Sequence, residues 1–192
     1  SNAVRPPMGI EGKEHITVSQ NLYYNPNPHL SVLVYGSSFF MNTYDLIQDM
    51  TFSQARDWTA GTKVTYHVKD WFSVTGSLHA DFYDRFKRHE RIDKRQKDYE
   101  SSIYQPRLTV TSNYFNGHSL ILGMEHTSDE LTSDRFSGNA NHDLKTRALK
   151  ETEYFLQDEW TINPRWMISV GIRTNFSKAF GFMGMPKVAA KY

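Results

Sequence analysis

The feature that most constrains this chain is a period of two. Phe72, Val74, Gly76, Leu78, Ala80 and Phe82 alternate with Ser73, Thr75, Ser77, His79 and Asp81, as expected of a strand with one dry face and one wet face. Val64, Tyr66 and Val68 repeat the pattern before it, as do Leu108, Val110 and Tyr114, then Leu120, Leu122 and Met124, and finally Trp166, Ile168, Val170 and Ile172. Ile16, Val18 and Leu22 carry it more weakly, and the stretch from Leu30 to Tyr44 is apolar on both parities, so its facing stays open. A helical fold would need spacings of three and four instead.

Cross-strand partners share a face, so the alternating segments can be joined into hairpins. Setting Val68 opposite Phe72 pairs Tyr66 with Val74 and Val64 with Gly76, and leaves Lys69-Asp70-Trp71 as the loop. Setting Ile162 opposite Trp166 pairs Trp160 with Ile168 and Leu156 with Ile172 around Asn163-Pro164-Arg165. Two more short turns fall at Asn116-Gly117 and at Asn25-Pro26-Asn27-Pro28, all polar and rich in turn formers. Between them lie long polar stretches, expected as loops near 44–60, 84–105, 127–150 and 176–185, so the connections alternate short and long.

That asymmetry points to an all-β, antiparallel up-and-down meander of eight or nine strands, the last opening at Pro186, as part of a transmembrane β-barrel. Such barrels have short periplasmic turns, long extracellular loops and strands apolar outside and polar inside. Three of the four Trp (Trp71, Trp160, Trp166) fall in or beside short turns, where amphipathic rings favour the headgroup layer. Lys and Arg number 22 against 21 Asp and Glu, a formal charge of +1, so no nucleic-acid partner is implied. With no Cys there is no disulfide framework or thiolate site. No window approaches the ~18 apolar residues of a transmembrane helix, which leaves a membrane barrel open.

Phe155-Leu156-Gln157-Asp158-Glu159-Trp160, then Ile162-Asn163-Pro164, Ser169-Val170-Gly171-Ile172-Arg173 and Pro186-Lys187-Val188 resemble the barrel portion of TonB-dependent outer-membrane receptors, as does Ser119 to Glu125. Thr174-Asn175 departs from the Tyr-Asp usual after that Arg. The resemblance covers residues 15 to 192 and is tightest from Glu151. It implies a place in the outer membrane of a Gram-negative bacterium and uptake of a scarce nutrient such as a ferric siderophore, haem, cobalamin or a glycan. It also implies energy from a TonB complex through a plug domain that this sequence lacks, and a parent barrel of about 22 strands. Ser1-Asn2-Ala3 is read as an expression-tag remnant and residues 4–192 as a partial barrel, whose open edges are expected to pair with another copy if isolated.

Eight His invite a metal or haem reading, but none has ligand-pair spacing. The loop reading places His89, Arg91, His126 and His142 toward a ligand, and Lys87 to Arg95 toward an anionic ligand or lipopolysaccharide phosphate. Asp81, Glu125, Glu159 and Arg173 are expected to point inward. Asp158 breaks the apolar parity, and reads either as a partly wet position near the short turn or as a partner of Arg165 across it. No nucleophile elbow, phosphate loop or zinc motif occurs, so no catalytic residue, resident metal or cofactor is expected and the chain is not read as an enzyme. An outer-membrane barrel protease or lipase and a soluble lipocalin-like barrel are the alternatives.

Overall fold

A computed structural model describes residues 11–45, 50–89, 94–133, 136 and 144–192. Nine strands follow in chain order: β1 (Glu11–Asn27), β2 (Leu30–Asp45), β3 (Met50–Lys69), β4 (Phe72–His89), β5 (Lys94–Ser112), β6 (His118–Ser133), β7 (Lys145–Asn163), β8 (Trp166–Ser177) and β9 (Gly181–Lys191). Each pairs antiparallel with the next in one sheet, ordered β1 to β9 without a crossover. The nine-strand meander agrees with the sequence reading, and the segment read as opening at Pro186 begins earlier, at Gly181. The reading of residues 1–3 as a tag lies outside the described residues.

Through the body of the sheet every pairing joins residues of like parity, as in Val18 with Ser38, Tyr66 with Val74, Val74 with Val110, Leu122 with Leu156, Leu156 with Ile172 and Val170 with Val188. Even-numbered side chains of all nine strands therefore line one face. That face is aliphatic, with Val18, Leu22, Val34, Val64, Leu78, Leu108, Leu122, Leu156, Ile172 and Val188 all exposed on it. The odd face carries Thr, Ser, His, Lys, Arg and acids. The open facing of Leu30 to Tyr44 is thereby fixed: Val32 and Val34 join the aliphatic face, while Leu33 and Tyr35 point the other way.

Aromatic rings bound the aliphatic band on both sides. Toward the open ends of the strands, Phe40 packs edge-on to Trp58 at 5.3 Å, Phe82 to Tyr104 at 5.4 Å and Tyr154 to Phe176 at 6.1 Å, with Phe182 against Phe176 at 5.0 Å. Toward the short turns, Trp71 meets Tyr114 at 4.9 Å and Trp166 meets Tyr192 at 4.8 Å. From Trp58 to Tyr66 the chain covers about 26 Å of extended strand. Tilted, that length suits a hydrocarbon layer.

Among the described residues, Ala55 is the one buried hydrophobic. A soluble domain buries its apolar face against a second layer; the described residues form a single layer, whose aliphatic face is left to be covered by an apolar surrounding.

The turns differ by one residue from the sequence reading, and for one reason. Register shifts between Tyr24 and Asn27, between His67 and Lys69, and between Thr161 and Asn163 place a bulge just before each turn. Lys69, not Val68, thus faces Phe72, and Asn163, not Ile162, faces Trp166. Asn27 and Asn163 make the same motif. Asn27 Oδ1 accepts from His29 N at 2.9 Å and Leu30 N at 3.0 Å, and Asn163 Oδ1 from Arg165 N at 2.9 Å and Trp166 N at 3.1 Å. The proline between has no N–H to satisfy and a preset φ, so Asn-Pro-x closes each hairpin in two residues. The β5–β6 turn is longer, and its Gly117 has φ 78°, a conformation that L side chains resist.

The described residues of the four stretches expected as long loops are mostly strand. β3 already runs from Met50, β4 reaches His89, β5 starts at Lys94, β6 reaches Ser133 and β7 starts at Lys145. Between β8 and β9 only residues 178–180 turn. Alternation disappears in these stretches because the strands continue where both faces are wet.

Candidate functional site

The odd, polar face is where chemistry can occur, and two glycines shape it. Tyr35 lies directly opposite Gly61, and a Cβ built on Gly61 would stand 2.3 Å from the tyrosine ring. The ring lies flat across β3, and its hydroxyl reaches His79 Nδ1 on β4 at 3.0 Å. Phe155 repeats the arrangement over Gly123, where a Cβ would come within 2.2 Å of the ring. Arg107 stacks over Phe155 at 4.8 Å and Arg173 approaches it at 5.9 Å. Glycine thus gives each ring a flat seat and fixes two strand pairs against slippage.

Around Phe155 the charges are paired. Arg107 faces Glu125 at 3.6 Å and Arg173 binds Glu153 at 3.2 Å, while Gln157 donates to Glu159 at 2.8 Å and Asn175 to Glu151 at 3.1 Å. The inward pointing expected of Asp81, Glu125, Glu159 and Arg173 is what the register gives. A cavity of about 460 Å³ lies among Arg107, Phe155, Gln157, Arg173 and Lys187.

A second cavity, about 480 Å³, opens nearer the free ends of β3–β5 and is lined by Asp57, Asp81, Tyr83, Arg85, Tyr99 and Ser101. Asp81 accepts from Thr59 Oγ1 at 2.8 Å, and Asp57 is its diagonal neighbour across β3 and β4. Tyr83 and Tyr99 meet edge to face at 5.5 Å. Above them a bulge turns Asp98 inward, where it is 3% exposed; Arg85 binds it through two nitrogens at 3.2 and 2.8 Å, and Lys87 lies 3.6 Å away. Of this cluster the sequence singles out only Asp81, as inward-pointing, and Lys87, in the basic run; the others fall in or beside the stretches 44–60 and 84–105 expected as loops, and the signal for them was the parity of Asp81, Tyr83 and Arg85, which continues unbroken.

Of the four residues expected to face a ligand, two are among the described residues, and they lie in different strands, His89 in β4 and His126 in β6. His126 is in β6, not in a loop, and on the even face, where its Nδ1 meets Thr152 Oγ1 at 2.9 Å. His89 ends β4 opposite Lys94, and Arg91 and His142 lie outside the described residues. Of the basic run from Lys87, the Lys87 side chain is turned onto Asp98 on the odd face. Asp158 pairs not with Arg165 but with His118, Oδ2 to Nδ1 at 2.8 Å, and Trp160 stacks on that imidazole at 5.3 Å. A partner 40 residues away on the neighbouring strand is invisible to a reading confined to one hairpin.

Among the described residues no three His, Asp or Glu converge to hold a metal. The wall instead offers fixed charges, hydroxyls and rings, which can bind and guide a polar solute.

A family model described as TonB dependent receptor-like, beta-barrel, matches residues 11–192. The fold is similar to a mutant form of the ferric enterobactin receptor PfeA of Pseudomonas aeruginosa, with TM-score 0.81, 14% identity, and 98% of this chain and 32% of that one covered. It is also similar to the siderophore receptor PirA of Acinetobacter baumannii (0.74, 12% identity, 95% and 32% covered) and to a chain of the RagAB peptide importer (0.66, 9% identity, 93% and 30% covered). The chain thus spans about a third of the length of these structures. No curated protein matches its sequence.

Proposed function

The chain belongs to the TonB-dependent receptor β-barrel family, and on that premise we propose that it forms nine strands of an outer-membrane barrel wall through which a nutrient is imported. The observation that carries this reading is the face segregation: a predominantly aliphatic band between two aromatic rows on one side, a charged wall on the other, and among the described residues no second layer. The aliphatic face meets lipid and the polar face lines the lumen. Turns such as Asp70-Trp71 and Pro164-Arg165 lie in the periplasm, while the strand ends beyond Trp58 and Phe82 stand outside the cell. Energy comes from a TonB complex acting through a plug domain. The neighbours named for siderophores and for peptide import support nutrient uptake as the class, in a family of transport receptors and not enzymes.

The test is orientation in living cells. Epitope tags inserted at Arg91 or Asn139 of the full receptor are expected to bind antibody on intact cells, and tags at Asp70 or Arg165 only after the outer membrane is opened. The reverse pattern would overturn the topology, and labelling of both sets on intact cells would remove the membrane-spanning wall.

A further inference from the structure

We infer that His118 and Asp158 form a proton-operated clasp, closed in mild acid and loosened as pH rises, that holds the β5–β6 turn against β7. The inference rests on the reading of the even face as the lipid face and gives a role to the charged pair that interrupts its aliphatic band. His118 Nδ1 donates to Asp158 Oδ2 at 2.8 Å, and the imidazole lies nearly parallel to the Trp160 ring, tilted by 9° with centroids 5.3 Å apart. The two side chains are 34% and 38% exposed, so the pair stands on the surface of that face. The turn is fastened at the same place. Gly117, the residue before His118, accepts through its carbonyl from Thr161 N at 2.7 Å, and Thr161 directly follows Trp160. A Cβ on Gly117 would stand 2.8 Å from the Thr161 carbonyl oxygen. The ion pair, the ring stack and the bond that docks the turn thus fall on adjoining residues of β6 and β7.

The surroundings leave the imidazole proton in control. Between the turns and the Tyr154–Phe176 row, the even positions of β6, β7 and β8 hold no other Asp, Glu, Lys, Arg or His. From β8, Val170 lies opposite Asp158 and Ile168 opposite Trp160; from β6, Leu120 lies opposite Asp158, with Ser112 of β5 beyond it. Tyr114 packs on Trp71, and Glu159 points to the other face, where Gln157 donates to it. Arg165 in the β7–β8 turn makes no ion pair with Asp158. Imidazole is the side chain that changes charge between pH 5 and 8. With its proton, the pair is neutral overall, and the imidazolium meets a carboxylate and an indole face that both attract it. Without it, Nδ1–H still reaches Asp158, but a net negative charge is left between Leu120 and Val170, where nothing balances it. The clasp is therefore present at the acid end of that window and is lost toward the alkaline end.

The test uses the full receptor in phosphatidylcholine vesicles, with the emission of Trp160 taken as the difference between the receptor and its Trp160→Phe variant. A stacked imidazolium accepts an electron from excited indole more readily than neutral imidazole does. Emission is therefore expected to rise in one step between about pH 5 and 8, and the step should vanish in His118→Gln. A double-mutant cycle of His118→Gln with Asp158→Asn, read by urea unfolding, should give a coupling of about fivefold or more at about pH 5.5 and about twofold or less at about pH 8.5. Amide exchange of the 113–117 turn and of Thr161, corrected for the chemical rate, should be faster at the higher pH. An emission step that survives His118→Gln, a coupling that ignores pH, or turn protection equal at both pH values would overturn the clasp. The last readout needs only the unaltered receptor, so it decides the matter even if a variant fails to assemble. Vesicles of dibrominated phosphatidylcholine separate the two levels of the argument. If bromine quenches Trp160 and the pH step is missing, the clasp is wrong and the lipid face stands; if bromine does not quench it, the lipid-face reading itself fails.

Discussion

The sheet has two halves that obey different rules. Between the turns and the Trp58–Phe82 row, register runs without interruption from just past the turn bulges, and the faces divide into aliphatic and polar, the paired Asp158 and His118 on the even face near the turns being a charged exception. Beyond that row, register slips between Thr43 and Tyr44 and between Arg85 and Phe86, and charge occupies both faces. On the even face Lys97 joins Asp84 and Glu100. On the odd face Arg85 and Lys87 share Asp98. A strand within lipid cannot place an unpaired charge outward or leave backbone groups unpaired. A strand standing in water can do both, and there ion pairs and ring contacts take over what the bilayer does below.

The largest effect that distinguishes the halves is a charge on the aliphatic face. Leu78→Arg or Val170→Arg is expected to cost on the order of 2–4 kcal/mol if those side chains sit near the bilayer midplane. Thr75→Arg or Ser169→Arg, one residue away on the polar face, should cost much less. Refolding the intact receptor into lipid vesicles across a urea series measures all four. Equal penalties on both parities would show that the lower half is not a lipid-facing wall.

Asp98 probes the upper half next. It is enclosed, accepts two hydrogen bonds from Arg85 and lies near Lys87. Asp98→Asn leaves two cations facing each other with no acid between them, in a bulge that the aspartate stabilises. A loss of about 1–3 kcal/mol is expected, since hydrogen bonds to charged groups are worth roughly that much and Arg85 retains solvent contact. Proteolysis of the detergent-solubilised receptor should find new cleavage in the extracellular part of β4–β5 while the lower half stays protected. Global unfolding at unchanged local protection would mean that the halves are one cooperative unit.

The same division governs how much could be read from the sequence. Tyr66 with Val74 and Leu156 with Ile172 were legible because lipid imposes strict alternation on the lower half. The bulges beside Val68 and Ile162 were not, because both residues keep the apolar parity of Tyr66 and Trp160 and so leave no mark in the pattern. In the upper half the chain from Asp84 to Gln105 lacks alternation and reads as a loop, although its described residues, 84–89 and 94–105, are paired strand. β2 hid its facing for a different reason: Tyr35 is inward because Gly61 opposite gives it room, and that pairing is a property of two strands together. The candidate residues fared least well. His126 reads as part of a ligand-facing long loop, and β6 simply extends past it to Ser133.

The smallest expected effect is on the outer side of the upper half, at Lys97. Its Nζ lies 2.8 Å from Asp84 and 3.3 Å from Glu100, and the ring of Phe86 is 5.7 Å away. The hydrogen bond to Asp84 is the main cause holding the ammonium above the ordinary lysine range, against a smaller opposing contribution from burial. A folded pKa above the unfolded one means the contribution is fully present below the unfolded value, about 10.4, and is lost as pH rises through the higher folded value. All three groups keep substantial water contact, so the cluster is worth no more than about 1 kcal/mol. Lys97→Met should therefore destabilise the receptor slightly at pH 8, with a difference that shrinks in high salt and closes only on titration beyond the ordinary lysine range. Unfolding midpoints of the pair at several pH and salt values read this directly. A cost at Lys97 equal to that at Asp98 would show that exposure to water does not separate the two faces of the upper half.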